Sequence, residues 1–98
     1  MTRVRVSKQV EFFVKSLAPD PRKALTAAIK ALPGGRGDIK HLEGPLVGWS
    51  RLRVQTYHVV FKEIWEGGQR IVDCVYANRR NVVYDLFKEI LRNQLLKT

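Results

Sequence analysis

The sequence predicts an α+β fold: a small antiparallel sheet with a mixed edge, an N-terminal helical hairpin and a C-terminal helix, in the order β-α-α-β-β-β-α. Two observations carry that reading. Polar and apolar residues alternate through Trp49–Ser50–Arg51–Leu52–Arg53–Val54 and Tyr57–His58–Val59–Val60–Phe61, either side of Gln55–Thr56, as in two strands folded back on each other. Apolar residues recur at helical spacing in three other places, each bounded by proline, glycine or a capping residue.

The chain has 98 residues. That length suits one domain spanning 1–98 with a single core. No stretch approaches the ~18 consecutive apolar residues of a membrane helix, so no membrane partner is expected. Met1–Thr2–Arg3–Val4–Arg5–Val6 lacks the apolar centre of a signal peptide, and a cytoplasmic location is expected. The one cysteine, Cys74, agrees with a reducing compartment and is no metal site by itself. Eighteen Lys and Arg against nine Asp and Glu give a net charge of +9. Such an imbalance points to a polyanion or an acidic protein as the usual neighbour.

Taken in order, Val4 and Val6 between arginines suggest a first strand, and Ser7 is placed to cap a helix starting at Lys8. Val10, Phe13, Val14 and Leu17 form its apolar stripe, and Ala18–Pro19 ends it. Asp20–Pro21 opens a second helix with a stripe of Leu25, Ala28, Ile29 and Leu32, stopped by Pro33–Gly34–Gly35. The pair must bury its seam on the strands downstream. From Pro33 to Gly48, glycine and proline recur and the chain reads as mostly loop, anchored by Ile39 and Leu42. Its glycines lack P-loop spacing. Lys40 and His41 read as solvated loop residues, with a phosphate contact as the alternative for Lys40.

A two-residue turn at Gln55–Thr56 sets Val54 against Tyr57, Arg53 against His58, Leu52 against Val59 and Arg51 against Val60. One face then carries Leu52, Val54, Tyr57, Val59 and Phe61 into the core. The other presents Arg51, Arg53, His58 and Lys62 outward as a basic surface. Gly67–Gly68 can take the positive φ angles of a second tight turn. Pairing across it opposes Trp65 to Arg70, Lys62 to Asp73, Phe61 to Cys74, Val60 to Val75, Val59 to Tyr76 and His58 to Ala77. Cys74 is then a small buried apolar residue, and Trp49 and Trp65 are packing residues. The same register delivers Arg79 and Arg80 to the end of the sheet where Arg53 and His58 stand. A last helix starting near Asn81, with Val83, Leu86, Phe87, Ile90 and Leu91 on its apolar face, brings Tyr84 beside them.

The element order, together with Gly48–Trp49–Ser50–Arg51–Leu52–Arg53–Val54, Tyr57–His58–Val59–Val60–Phe61 and Arg79–Arg80–Asn81–Val82–Val83–Tyr84, resembles the RelE/ParE superfamily of bacterial type II toxins, the RelE-like branch above all. Asp38–Ile39–Lys40–His41–Leu42–Glu43–Gly44 is similar to the lead-in those proteins carry. The resemblance implies a toxin that cuts messenger RNA on the ribosome and so inhibits translation, or, in the ParE branch, a poison of DNA gyrase. A third reading is an inactive or purely nucleic-acid-binding relative. It also implies a cognate antitoxin as partner, with the ribosome and mRNA, or gyrase, as target, and no cofactor.

For metal-independent RNA cleavage the resemblance assigns Arg53, Arg80 and Tyr84 to matching positions of the family pattern. Such chemistry needs a base for the 2′-hydroxyl, cations for the phosphorane and an acid for the leaving 5′-oxygen. Arg53 and Arg80 are expected to hold transition-state charge, Tyr84 to stack on a base or donate a proton, and His58 to act as base or acid. Arg51, Lys40 and Arg79 are expected to contact RNA. Two departures stand out: Gln55–Thr56 occupies a turn that is Gly-Asp in many relatives, and His58 replaces an arginine with a group that ordinarily titrates near neutrality. His58 has a second reading, as a neutral hydrogen-bonded neighbour of Arg53, and Tyr84 as an aromatic at the core edge.

Overall fold

The computed structural model describes residues 2–97; the side chains of Leu91 and of residues 94–97 lie outside the description, so the place expected for Leu91 is not described. The elements are β1 (Arg3–Val6), α1 (Lys8–Lys15), α2 (Pro19–Lys30), β2 (Asp38–His41), β3 (Trp49–Val54), β4 (Tyr57–Glu66), β5 (Gln69–Arg79) and α3 (Arg80–Lys97). The sheet order is β1-β5-β4-β3-β2. β1 runs parallel to β5 and every other pair is antiparallel, which is the mixed edge.

Local chemistry accounts for the helix starts. Ser7 caps α1, its hydroxyl accepting the Val10 N–H at 3.2 Å. α2 begins at Pro19, before the Asp20–Pro21 start expected from sequence. Proline suits the first helical position because its φ is preset and its missing N–H would be unpaired there anyway; Asp20 then sits in the first turn, favourable to the helix dipole. The Pro33–Gly48 segment contains a strand that sequence periodicity did not show, the edge strand β2, besides short 3-10 turns at Leu32–Gly34 and Gly44–Leu46. Ile39 is the one apolar residue in Asp38–His41, so no alternation shows, and β2 forms because β3 offers it backbone partners, with Ile39 opposite Leu52 and Lys40 opposite Arg51.

The β3–β4 pairing has the expected register, from Val54–Tyr57 to Arg51–Val60. Gln55 takes φ 56°, an uncommon conformation for a residue with a side chain, to close the turn. β4 and β5 pair as expected from Trp65–Arg70 to Phe61–Cys74, and there a bulge shifts the ladder. Val60 faces Tyr76, Val59 faces Ala77 and His58 faces Asn78, in place of the Val75, Tyr76 and Ala77 partners expected. The extra residue is stabilised from β5's other side, beyond the end of β1. Ser7 Oγ donates to the Val75 carbonyl at 3.0 Å, and the Gln9 side chain both donates to the Ala77 carbonyl (2.7 Å) and accepts its N–H (2.8 Å). Contacts from a distant helix are not visible in the strand's own alternation.

Apolar clusters lie on both faces of the sheet. Toward the helical hairpin, Val10, Leu25, Ile29, Leu32, Leu52, Val59, Phe61, Val72, Cys74 and Ala77 are buried together. Toward α3, Val60, Val83 and Phe87 are buried with Leu42, Leu46, Trp49, Val75, Tyr76 and Ile90 around them. This corrects the expectation that the face of Arg51, Arg53, His58 and Lys62 looks outward. α3 covers part of it, because the hairpin already fills the other face and an amphipathic helix must bury its stripe somewhere.

Candidate functional site

The site forms where the β3–β4 turn meets the start of α3. The Arg80 N–H donates to the Thr56 carbonyl at 2.9 Å, fixing the first residue of α3 to the turn. Strand register then determines which side chains share the face below. Arg53 stands between Asp38 on one side and His58 on the other, and Arg51 between Lys40 and Val60. Residues directly opposite in a sheet point to the same side. Lys40, Arg51, Arg53 and His58 therefore lie under the N-terminal end of α3, where Arg80 and Tyr84 project.

Arg80 and Tyr84 are coupled. The Arg80 guanidinium lies 5.3 Å from the Tyr84 ring centre, within cation–π range. Its hydrogen bond holds the Tyr84 hydroxyl below its ordinary pKa, partial burial opposes this, and the charges of Arg80, Arg51 and Lys40 reinforce it. Below Tyr84 lies His58, with ring centres 5.5 Å apart and planes at 86°. Tyr84 is 41% exposed and His58 only 1%.

That burial changes what His58 is. Removal from water, then the nearby charges of Arg51, Arg80 and Arg53, pull its pKa down to about 4; Asp38 pulls weakly the other way. The imidazole is uncharged at neutral pH, and the expected near-neutral titration on an open face is corrected. The sequence held one signal for this: Val60, buried next to His58's face position, marks an apolar patch on a surface otherwise read as basic.

Among the expected residues, Lys40, Arg51, Arg53, His58, Arg80 and Tyr84 come together. Arg79 does not join them: it stands opposite Tyr57, on the face where Tyr57 packs edge-on against Phe13. Sequence reading missed Asp38, whose carboxylate lies 3.8 Å from Arg51. Only the unrecognised β2 places it there. Cys74 is buried with its thiol pushed up to about 12, chiefly by burial, and behaves as an apolar core residue. The described residues contain no group of three His, Cys, Asp or Glu side chains able to hold a metal ion, and no helix long and apolar enough to cross a membrane.

No family model and no curated protein matches the sequence. Likeness emerges among folded structures. A chain of the RelB–RelE antitoxin–toxin complex from Methanococcus jannaschii aligns with a TM-score of 0.59 and 22% identity, covering 85% of this chain and 98% of that one. The YoeB/ParE toxin from Agrobacterium tumefaciens aligns at 0.63 and 12% identity, covering 80% and 98%. A chain of the archaeal RelE–RelB complex from Pyrococcus horikoshii aligns at 0.60 and 23%, covering 81% and 94%. The protein therefore has the fold of RelE- and ParE-type toxins.

Proposed function

We propose that the protein is the toxin of a type II toxin–antitoxin pair and acts as a metal-independent, ribosome-dependent mRNA endoribonuclease. The observation that supports this most is the gathering of Arg51, Arg53 and Arg80 around His58, with Tyr84 above it, at one rim of a RelE-type fold. In the reaction the 2′-oxygen of the ribose attacks phosphorus, its proton leaves, and the 5′-oxygen departs with a proton. Arg53 and Arg80 hold the charge that builds on the phosphorane. Tyr84, its hydroxyl acidified by Arg80, stacks on a base or moves the proton; base stacking contributes roughly 1–3 kcal/mol. Arg51 and Lys40 contact the RNA backbone. The solved structures named as antitoxin–toxin complexes support an antitoxin partner, and a toxin acting on ribosomes would work in the cytoplasm.

The test is a translation extract supplied with purified protein and read by primer extension. Cuts in phase with codons at the ribosomal A site are expected. Intact message together with accumulated gyrase–DNA cleavage complexes would replace this reading with a gyrase poison. One observation favours that second reading: with His58 buried and neutral, Tyr84 is the one expected proton-transfer group left at the surface.

A further inference from the structure

Gln9, in the first turn of α1, grips the backbone of β5 with both ends of one amide. Its Nε2 donates to the Ala77 carbonyl at 2.7 Å, and its Oε1 accepts the Ala77 N–H at 2.8 Å. The side chain thus stands in for one residue of a neighbouring strand, at the point where β1 has ended and the chain has turned into α1. Ala77 is wholly buried. Without Gln9 both of its backbone groups would lose their partner out of reach of water, which folded proteins seldom tolerate.

This grip fits one of two registers. The Ser7 N–H donates to the Cys74 carbonyl at 2.9 Å, so Cys74 turns its backbone groups away from β4. In an unbroken strand the next residue to do so would be Tyr76, and the groups of Ala77 would face β4. The bulge moves them by one residue: Val60 faces Tyr76, Val59 faces Ala77, and Val75 and Tyr76 both pack toward α3. Only in the bulged strand, therefore, does Ala77 meet Gln9 and the Val75 carbonyl meet Ser7 Oγ, at 3.0 Å.

The same step decides which arginine heads α3. In the bulged register Tyr57 faces Arg79, and Arg80 is the residue whose N–H reaches the Thr56 carbonyl at 2.9 Å. In the unbroken register Tyr57 would face Asn78, and Arg79 would stand at Thr56. We infer that Gln9 is a positioning residue: its amide holds β5 in the bulged register and so gives Arg80, not Arg79, the place from which a guanidinium lies over Tyr84. The consequence for cleavage rests on the nuclease reading; the register does not.

The experiment compares the wild type with Gln9→Met, which keeps the side chain's length and removes both bonds. Cross-strand proton contacts and amide exchange are read by NMR in the full chain. The Val59–Ala77 and His58–Asn78 contacts and the protection of the Arg80 N–H are expected to be lost, while the pairs from Phe61–Cys74 to Trp65–Arg70 stay. Cleavage in the translation extract should fall about ten- to a hundredfold at saturating ribosomes, with the half-saturating ribosome concentration unchanged. Gln9→Met combined with Arg80→Ala should cut no worse than Arg80→Ala alone, since both act through one guanidinium. Gln9→Glu keeps an acceptor for the Ala77 N–H and loses the donor; it should show the same losses to a smaller degree, and it decides the matter if Gln9→Met does not fold. Wild-type contacts in the deciding variant overturn the inference. So do losses that multiply in the double variant, or undiminished cleavage in a variant whose register has changed. A wild type that leaves message intact sinks the nuclease reading alone, and the NMR comparison still decides for or against Gln9.

Discussion

On the hairpin side of the sheet, Val10, Leu25, Leu52, Val59, Val72, Cys74 and Ala77 are wholly buried in one apolar cluster. On the α3 side the buried apolar residues are Val60, Val83 and Phe87, and beside them lie His58 and Arg51, each with an unpaired nitrogen. The same strands build both. β4 contributes Val59 and Phe61 to one face and His58 and Val60 to the other, by alternation alone. The difference teaches a division of labour. The hairpin face removes apolar surface from water at roughly 25 cal/mol per Å², whereas the α3 face keeps several cations close together at a cost in stability. A fold of this size can hold such a cluster because the opposite layer is nearly all core.

That contrast can be broken from either side. The largest effect is expected for Arg80→Ala. If the nuclease reading is right, cleavage in the extract falls by about a hundredfold or more while the unfolding midpoint barely moves, since each 1.4 kcal/mol of lost transition-state stabilisation is about tenfold in rate. An Arg80→Ala protein that cuts normally would separate the rim from the chemistry. Leu52→Ala should behave in the opposite way. Lying one position from both Arg51 and Arg53 yet facing the hairpin, it should cost about 2–5 kcal/mol in denaturant unfolding. A loss well under this range would mean that the hairpin layer is not the main store of stability.

The pH dependence of stability sharpens the comparison further. His58 has a folded pKa of about 4 against an ordinary value of 6.5, so between these values the unfolded chain binds the extra proton. Its neutral form is accommodated fully above about pH 6.5, and stability is lost as pH falls toward 4, by at most about 3 kcal/mol. Denaturant titrations at pH 7.5 and 4.5 should show this loss in the wild type and a smaller one in His58→Gln. Equal losses would mean that His58 is not buried as described. The smallest effect is at the turn that joins the two strands. Gln55→Gly should relieve the left-handed backbone and raise stability by a few tenths to about 1 kcal/mol, measured by thermal unfolding.

Element by element, legibility followed range. Ser7, the stripe of α1, the β3–β4 register and the Gly67–Gly68 turn, whose φ angles are both positive, rest on neighbours in sequence and read correctly. β2 was hidden because its single apolar residue, Ile39, gives no alternation, and the strand is held by its pairing with β3. The bulge beside Phe61 was hidden because Gln9 and Ser7, far along the chain, supply the hydrogen bonds that stabilise it. In the site, the meeting of Arg53, His58 and Arg80 followed from extending a register, and Arg79 fell to the wrong side because the bulge moved that register by one residue.

By itself, the amino-acid order determined the elements other than β2, their succession and the excess of positive charge, because periodicity, caps and turns act over a few residues. The tertiary structure alone decided that α3 would lie over the arginine-bearing face, sealing His58 beneath Tyr84. A side chain's protonation state depends on how much water and how many charges surround it in space, and no local pattern encodes either.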